Sequence, residues 1–391
     1  GILVESPAQG QNVELKANLI EILGGVDAAE YPIAKKKLPL EHLRKYPHIR
    51  IRTKLFPAVM RIRNSCTMAT HHYFQLNGFK YIHTPIITGN DCEGAGETFK
   101  FGKDFFGEDV SLTVSGQLHG ETYSLGMGDI YTFGPTFRAE KSNTTRHLAE
   151  FWMVEPEMTF IDFDELIDVS ECYLKFVADY CIKNNLEELE FLDKNIRHGL
   201  IDTIKTVLSE PFKRITYTRA VEILLDEIKE YRAIVRDRTI DDKKFRKRNK
   251  DKHIFEDPLF WGCDLASEHE KYLTDIIFKV PVIITDYPKE IKSFYMKENS
   301  DGKTVQAMDI LIPGIGEIIG GSMREENYEV LKTKMDSKNI GISWYLDTRK
   351  YGSAPHGGFG LGLERLVMLM TGMQNIKDVV PYPRFNESCV C

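Results

Sequence analysis

Long apolar runs are missing from this 391-residue sequence. None approaches the roughly 20 residues that a bilayer-spanning helix needs, which excludes a helical membrane span. Cysteine is sparse and unpaired: the seven stand at Cys66, Cys92, Cys172, Cys181, Cys263, Cys389 and Cys391. The odd count, with no CxxC pair and no signal peptide, excludes a disulfide framework and argues against structural zinc. It points to a reducing compartment, the cytoplasm. An excess of positive charge is also missing: 51 Lys+Arg face 58 Asp+Glu, for a net charge of −7. The chain therefore does not coat nucleic acid through bulk charge, although a local basic surface could dock a structured RNA. No internal repeat, low-complexity tract or Walker lysine loop occurs, so any nucleotide is held another way.

What is present is ordinary globular composition, 42% hydrophobic and 28% charged, at a length suited to one large domain with appendages. Residues 1–25 read as two short strands, Gly1 to Glu5 and Val13 to Leu23, the last strands of a truncated β-domain. Gly1 already lies in strand-like sequence, as though part of the N-terminus were missing. A Gly-, Pro- and Lys-rich linker covers 26–38, and the main domain 39–391. From Leu55 to Leu76, Val59, Ile62, Cys66, Ala69, Tyr73 and Leu76 step by three and four, which predicts an amphipathic helix. Asn77-Gly78 caps it, and Phe79 to Pro85 reads as strand. Ile130 to Arg138 and Leu148 to Phe160 read as a hairpin around a polar loop. In the second strand Trp152, Val154, Pro156, Met158 and Phe160 share an expected core face. Phe151, Met153, Glu155 and Glu157 share the other, which suits a polar pocket. A helical insertion is expected over 161–260, including Tyr217–Tyr231, and the cationic run 243–252 sits near its end. Strands return at Val280–Thr285 and Thr304–Leu311, and Gly360 opens a final helix.

Two glycine- or lysine-bearing segments are decoys. Gly314-Ile-Gly316-Glu-Ile-Ile-Gly320 misses the third spacing of the dinucleotide fingerprint, and no helix pattern begins there. Lys334-Met-Asp-Ser-Lys338 is interrupted by Asp336. The hairpin offers a better nucleotide cradle. Arg138 can fork two donors onto a phosphate, Glu140 can accept from an exocyclic amine, and Phe151 offers a ring for a base. Each residue alone has a bland reading as surface or core; together on one hairpin they converge.

Gly134 to Phe151 resembles motif 2 of the class II aminoacyl-tRNA synthetases of the aspartyl/asparaginyl subgroup, Gly360 to Arg365 resembles motif 3, and Leu55 to Pro85 resembles motif 1. The resemblance implies an α+β fold, an antiparallel sheet flanked by helices, with residues 1–25 as the remnant of an N-terminal anticodon-binding OB-fold barrel. It also implies a homodimer formed through 55–85. ATP would be bent over the sheet, with Arg138 on the α-phosphate, Glu140 on the adenine amino group, Phe151 under the ring and Arg365 on the γ-phosphate. Arg146 and His147 would add phosphate contacts. Asp309 and Glu317 would hold Mg²⁺, a hard cation suited to carboxylates and phosphates.

On the amino-acid side, Ser115 to Glu121 resembles the subgroup's substrate strand and helix start. Aspartyl enzymes carry a lysine where Gly120 stands here. Arg324 and Glu121 are therefore expected to clamp a carboxamide, a pairing able to reject a mismatched analogue by ~10⁴-fold. Glu93, Gln117 and Glu155 are expected around the substrate ammonium, and Trp261 to His269 resembles bacterial-type asparaginyl enzymes. The implied activity is ATP-dependent activation of L-asparagine to its adenylate and transfer to the 3′ end of tRNA(Asn). An aspartyl enzyme, an asparagine-synthetase-like relative and a non-catalytic paralogue remain as alternatives.

Overall fold

The fold was obtained as a computed structural model that describes residues 1–33, 36, 38–90, 97–209, 211–236 and 255–391, with the backbone alone over 230–236. Expectations placed on Glu93, Cys92 and the cationic run 243–252 lie outside the described residues. The chain forms two compact units, Gly1–Tyr46 and Pro47–Cys391. In the first, β1 (Ile2–Glu5) pairs antiparallel with β2 (Val13–Lys16), from Glu5↔Val13 to Ile2↔Lys16. The second strand, expected to reach Leu23, stops at Lys16, opposite Ile2. The helix Leu40–Arg44 belongs to the same unit.

The second unit is built on an eight-stranded sheet. In chain order its strands are β3 (Lys80–Tyr81), β7 (Ile130–Phe137), β8 (Glu150–Thr159), β9 (Lys213–Thr216), β10 (Val282–Pro288), β11 (Thr304–Ile312), β12 (Gly316–Met323) and β13 (His356–Gly362). They lie in the order β3-β7-β8-β13-β12-β11-β10-β9, antiparallel except for the edge pairs β3–β7 and β9–β10. A separate small sheet joins β4 (Ile87–Thr88), β6 (Val110–Leu112) and β5 (Lys100–Phe101).

The predicted amphipathic helix runs from Leu55 to Leu76. Val59, Ile62, Cys66, Ala69 and Tyr73 are buried, and only Leu76, in the last turn, is exposed, at 77%. Its end is fixed by Gly78 in the left-handed region (φ 83°), with the Phe79 amide donating back to the Phe74 carbonyl. The helix packs on Phe163–Asn184, where Thr70 meets the Tyr173 hydroxyl at 2.8 Å, and stacks Phe74 on Tyr131 of β7. Phe163–Asn184 starts from a reciprocal capping box between Asp162 and Glu165. At Phe79–Pro85, Lys80–Tyr81 alone forms a strand; the segment sits at the sheet edge.

The hairpin β7–β8 keeps the expected register, with Thr136 opposite Phe151 and Thr132 opposite Glu155. The apolar face of β8 is core at Val154, Pro156 and Met158. Trp152 is 39% exposed, and Phe160, beyond the strand in a positive-φ turn, is 81% exposed. The glycine-dense segment over 316–322 forms β12 rather than a helix, as the rejected fingerprint requires. At the motif 3 segment β13 continues through Gly362, so the last helix, Leu363–Thr371, starts three residues later than expected from Gly360. Glycines let β12, β13 and β8 approach closely: a Cβ on Gly358 would stand 2.3 Å from the Pro156 carbonyl oxygen.

Candidate active site

One cleft runs over the open face of the sheet. Its hairpin end is lined by Arg138, Glu140, Arg146, His147, Phe151, Glu317 and Arg365, among others. Arg138 ends the first hairpin strand, where its amide donates to the Ala149 carbonyl at 3.0 Å, and its guanidinium lies 5.3 Å from the Phe151 ring centroid. Phe151 is thus held by a cation on one side while forming part of the cavity wall. Glu140 and His147 approach to 3.4 Å. Arg146 donates from Nη1 to Ser267 at 2.6 Å, while its buried Nη2 has no hydrogen-bond partner among the described residues. Arg365, in the first turn of the last helix, donates to the Glu317 carbonyl at 3.0 Å and lies 3.4 Å from its carboxylate. The neighbouring Glu364 ties this turn down, accepting from Arg63 of the Leu55–Leu76 helix at 2.7 Å and from the Trp152 amide of β8 at 3.1 Å.

The other end, a cavity of about 460 Å³, is lined by Ser115, Gln117, Arg138, Glu155, Lys292, Asp309, Glu317 and Arg324, among others. That volume suits a small ligand. Arg138, Met153, Glu317 and Gly360 border both ends, so Arg138, Arg324 and Arg365 share one continuous cleft. Glu155 is buried and accepts from Ser115, from the Gly116 amide at 2.9 Å and from Thr132 at 3.1 Å. Burial raises its pKa against the pull of those donors.

Asp309 and Glu317 converge over Gly320: a Cβ there would stand 3.3 Å from Glu317 Oε1 and 3.4 Å from Asp309 Oδ1. Burial raises the Asp309 carboxyl, with Lys292 opposing and Glu317 adding to the rise. Burial alone would raise Glu317 too, but Arg365 and Lys292 hold it below its ordinary value. Lys292 donates to Asp309 Oδ2 at 2.7 Å. Among the described residues no group of three or more His, Cys, Asp or Glu forms a complete metal cage. Two convergent carboxylates without His or Cys nonetheless fit a hard divalent cation that takes its other ligands from phosphates and water.

Arg324 and Glu121 meet as expected, at 3.8 Å, but Glu121 does not line the cavity. It is 0% exposed, and its oxygens already accept from Gln117 at 3.0 Å, Tyr345 at 2.6 Å and Arg349 at 2.9 Å. A carboxylate so engaged stands behind the wall rather than on the ligand. The acid that grips Arg324 directly is Glu157, at 3.1 Å on Nε and 2.5 Å on Nη2, while Nη1 donates to Ser322 at 2.8 Å. Burial would lower the Arg324 pKa, but Glu157 and Glu121 hold it well above the ordinary arginine value. The strand alternation had already placed Glu157 beside Glu155. Lys292 and Arg349 carry no local motif and come to the site only through the fold.

Comparison with known proteins agrees with this geometry. Residues 40–386 match the family described as tRNA synthetases class II (D, K and N). The chain is 49% identical to an asparagine–tRNA ligase of Treponema denticola, over 98% of this chain and 82% of that protein. It is 48% identical to one of Porphyromonas gingivalis with the same coverage. Among solved structures, asparaginyl-tRNA synthetase of Pyrococcus horikoshii complexed with asparaginyl-adenylate superposes with a TM-score of 0.83 at 31% identity, covering 97% of this chain and 80% of that one. An aspartyl-tRNA synthetase of Entamoeba histolytica reaches a TM-score of 0.69 at 25% identity, covering 90% and 64%. On its sequence, its sheet and its cleft, this chain belongs to the class II tRNA synthetases of the D, K and N group.

Proposed function

We propose that the chain activates L-asparagine with ATP and transfers it to the 3′ end of tRNA(Asn). The single observation that carries this reading is the shared cleft: a guanidinium-rich end walled by the half-buried Phe151 ring adjoins a small polar cavity, and Arg138 borders both. The asparagine carboxylate attacks the α-phosphorus in line and pyrophosphate leaves; the tRNA hydroxyl then takes the aminoacyl group. No protein nucleophile is required. Arg138 stabilises charge developing at the α-phosphate, Arg146 and Arg365 hold the departing phosphates, and Phe151 and Glu140 orient the adenine. When bound, Mg²⁺ would neutralise phosphate charge, held by Asp309 and Glu317.

In the polar cavity, Ser115, Gln117 and Glu155 receive the substrate ammonium and Arg324 donates to the side-chain oxygen. With two of its five N–H groups on Glu157 and one on Ser322, Arg324 keeps two for a ligand. A homodimer through 55–85 is supported by exposed apolar side chains on that segment, Met68, Leu76 and Tyr81. No helix among the described residues is long and apolar enough to cross a membrane, and we place the protein in the cytoplasm, where free thiols such as Cys66 and Cys181 persist.

The test is ATP–pyrophosphate exchange. Exchange dependent on asparagine and not on aspartate is expected; exchange driven by aspartate refutes the assignment.

A further inference from the structure

We infer that Arg349, acting through Glu121, is a specificity-determining positioning residue that keeps the wall behind Arg324 electrically balanced, so that the cavity takes a neutral carboxamide and refuses a carboxylate. The inference rests on the proposed function and adds a layer that no ligand touches.

The helix Ser343–Lys350 carries Tyr345 and Arg349 into the interior behind the cavity. Arg349 Nη2 donates to Glu121 Oε2 at 2.9 Å and to the Tyr345 hydroxyl at 2.9 Å. Its Nε donates to the Glu325 carbonyl at 2.9 Å, which fixes the guanidinium in place. Tyr345 donates to the same Glu121 oxygen at 2.6 Å. His356 donates from Nδ1 to the Ala354 carbonyl at 2.8 Å and presents Nε2 at 3.2 Å from Glu121 Oε2. Both Arg349 and Glu121 have wholly buried side chains.

The charges then balance. Two buried acids, Glu121 and Glu157, are ion-paired with two buried guanidiniums, Arg349 and Arg324; burial raises the Glu157 carboxyl, and the Arg324 charge opposes that rise. In a low-dielectric interior any uncompensated charge is felt strongly by the next group to arrive. Asparagine adds no side-chain charge to this set, whereas aspartate adds a negative one beside guanidiniums that Glu157 and Glu121 already match. Without the Glu121 charge the balance would tip positive, and Arg324 would welcome a carboxylate. Glu157 lies against Gly120, 3.7 Å from where a Cβ would stand, so no side chain at position 120 supplies a competing cation.

The test compares kcat/KM for asparagine and aspartate in ATP–pyrophosphate exchange by the full chain. Glu121→Gln is isosteric and retains acceptors for Tyr345 and Arg349. It should lower the asparagine-to-aspartate ratio about tenfold or more, chiefly through a lower KM for aspartate. The double variant Glu121→Gln/Arg349→Met removes one charge of each sign and should recover most of the ratio. General damage to the fold would reduce both substrates alike and leave the ratio in place. An unchanged ratio in Glu121→Gln, or a double variant no more selective than the single one, overturns the inference. Wild-type protein without asparagine-dependent exchange overturns instead the function on which it rests.

Discussion

At the hairpin end of the cleft Arg138, Arg146 and Arg365 are only partly buried, and Arg365 keeps 30% of its side-chain surface. At the other end Arg324 keeps 3%, Glu157 and Glu121 none, and the Arg324 and Arg349 guanidiniums each meet an acid. The hairpin end offers three half-buried guanidiniums to a polyanion, where water and counterions soften each contact. The enclosed end offers balanced charge, where a single mismatched group is costly. On the proposed function, affinity for phosphate should therefore tolerate loose geometry, and choice of amino acid should not.

Substitutions sharpen that contrast, beginning with the most damaging. Arg324→Met leaves Glu157 without its partner in a dry wall; it should cost about 3–5 kcal/mol of stability as well as asparagine-dependent exchange. Denaturant melts and exchange assays on the same preparation would show both losses. Arg138→Ala, at the more open end, should leave the melting curve nearly unchanged while lowering kcat/KM about 10²–10³-fold, as expected for a donor aimed at developing charge. Loss of the ring in Phe151→Leu removes about 1–3 kcal/mol of base stacking. It should appear as a higher KM for ATP with little change in KM for asparagine. Asp162→Ala, remote from the cleft, removes one half of the capping box and should cost about 1 kcal/mol in denaturant unfolding with unaltered kinetics.

The same contrast explains what could be read before folding. The hairpin end is nearly contiguous, Arg138 to Phe151, so one strand–loop–strand pattern exposes its chemistry, and the Leu55–Leu76 helix that supports it announces itself by apolar spacing. The enclosed end is assembled from four distant segments, at Glu121, Glu157, Arg324 and Arg349. Strand alternation put Glu157 on the pocket face, but only the β8–β13–β12 pairing brings it to Arg324. Position 121 could be assigned an acid's chemistry but not its depth, which depends on the helix Ser343–Lys350 packing behind it. Lys292 was silent for the same reason: its meaning lies in Asp309, across the pairing of β10 and β11.

The most direct measurement is a crystal structure of the protein with a non-hydrolysable asparaginyl-adenylate analogue. The account predicts adenine against Phe151, the phosphate on Arg138, and the carboxamide oxygen within hydrogen-bond distance of Arg324, with Glu121 still on Arg349 and out of contact with the ligand. A side chain bound away from Arg324, or a Glu121 that has left Arg349 to grip the amide itself, would contradict it.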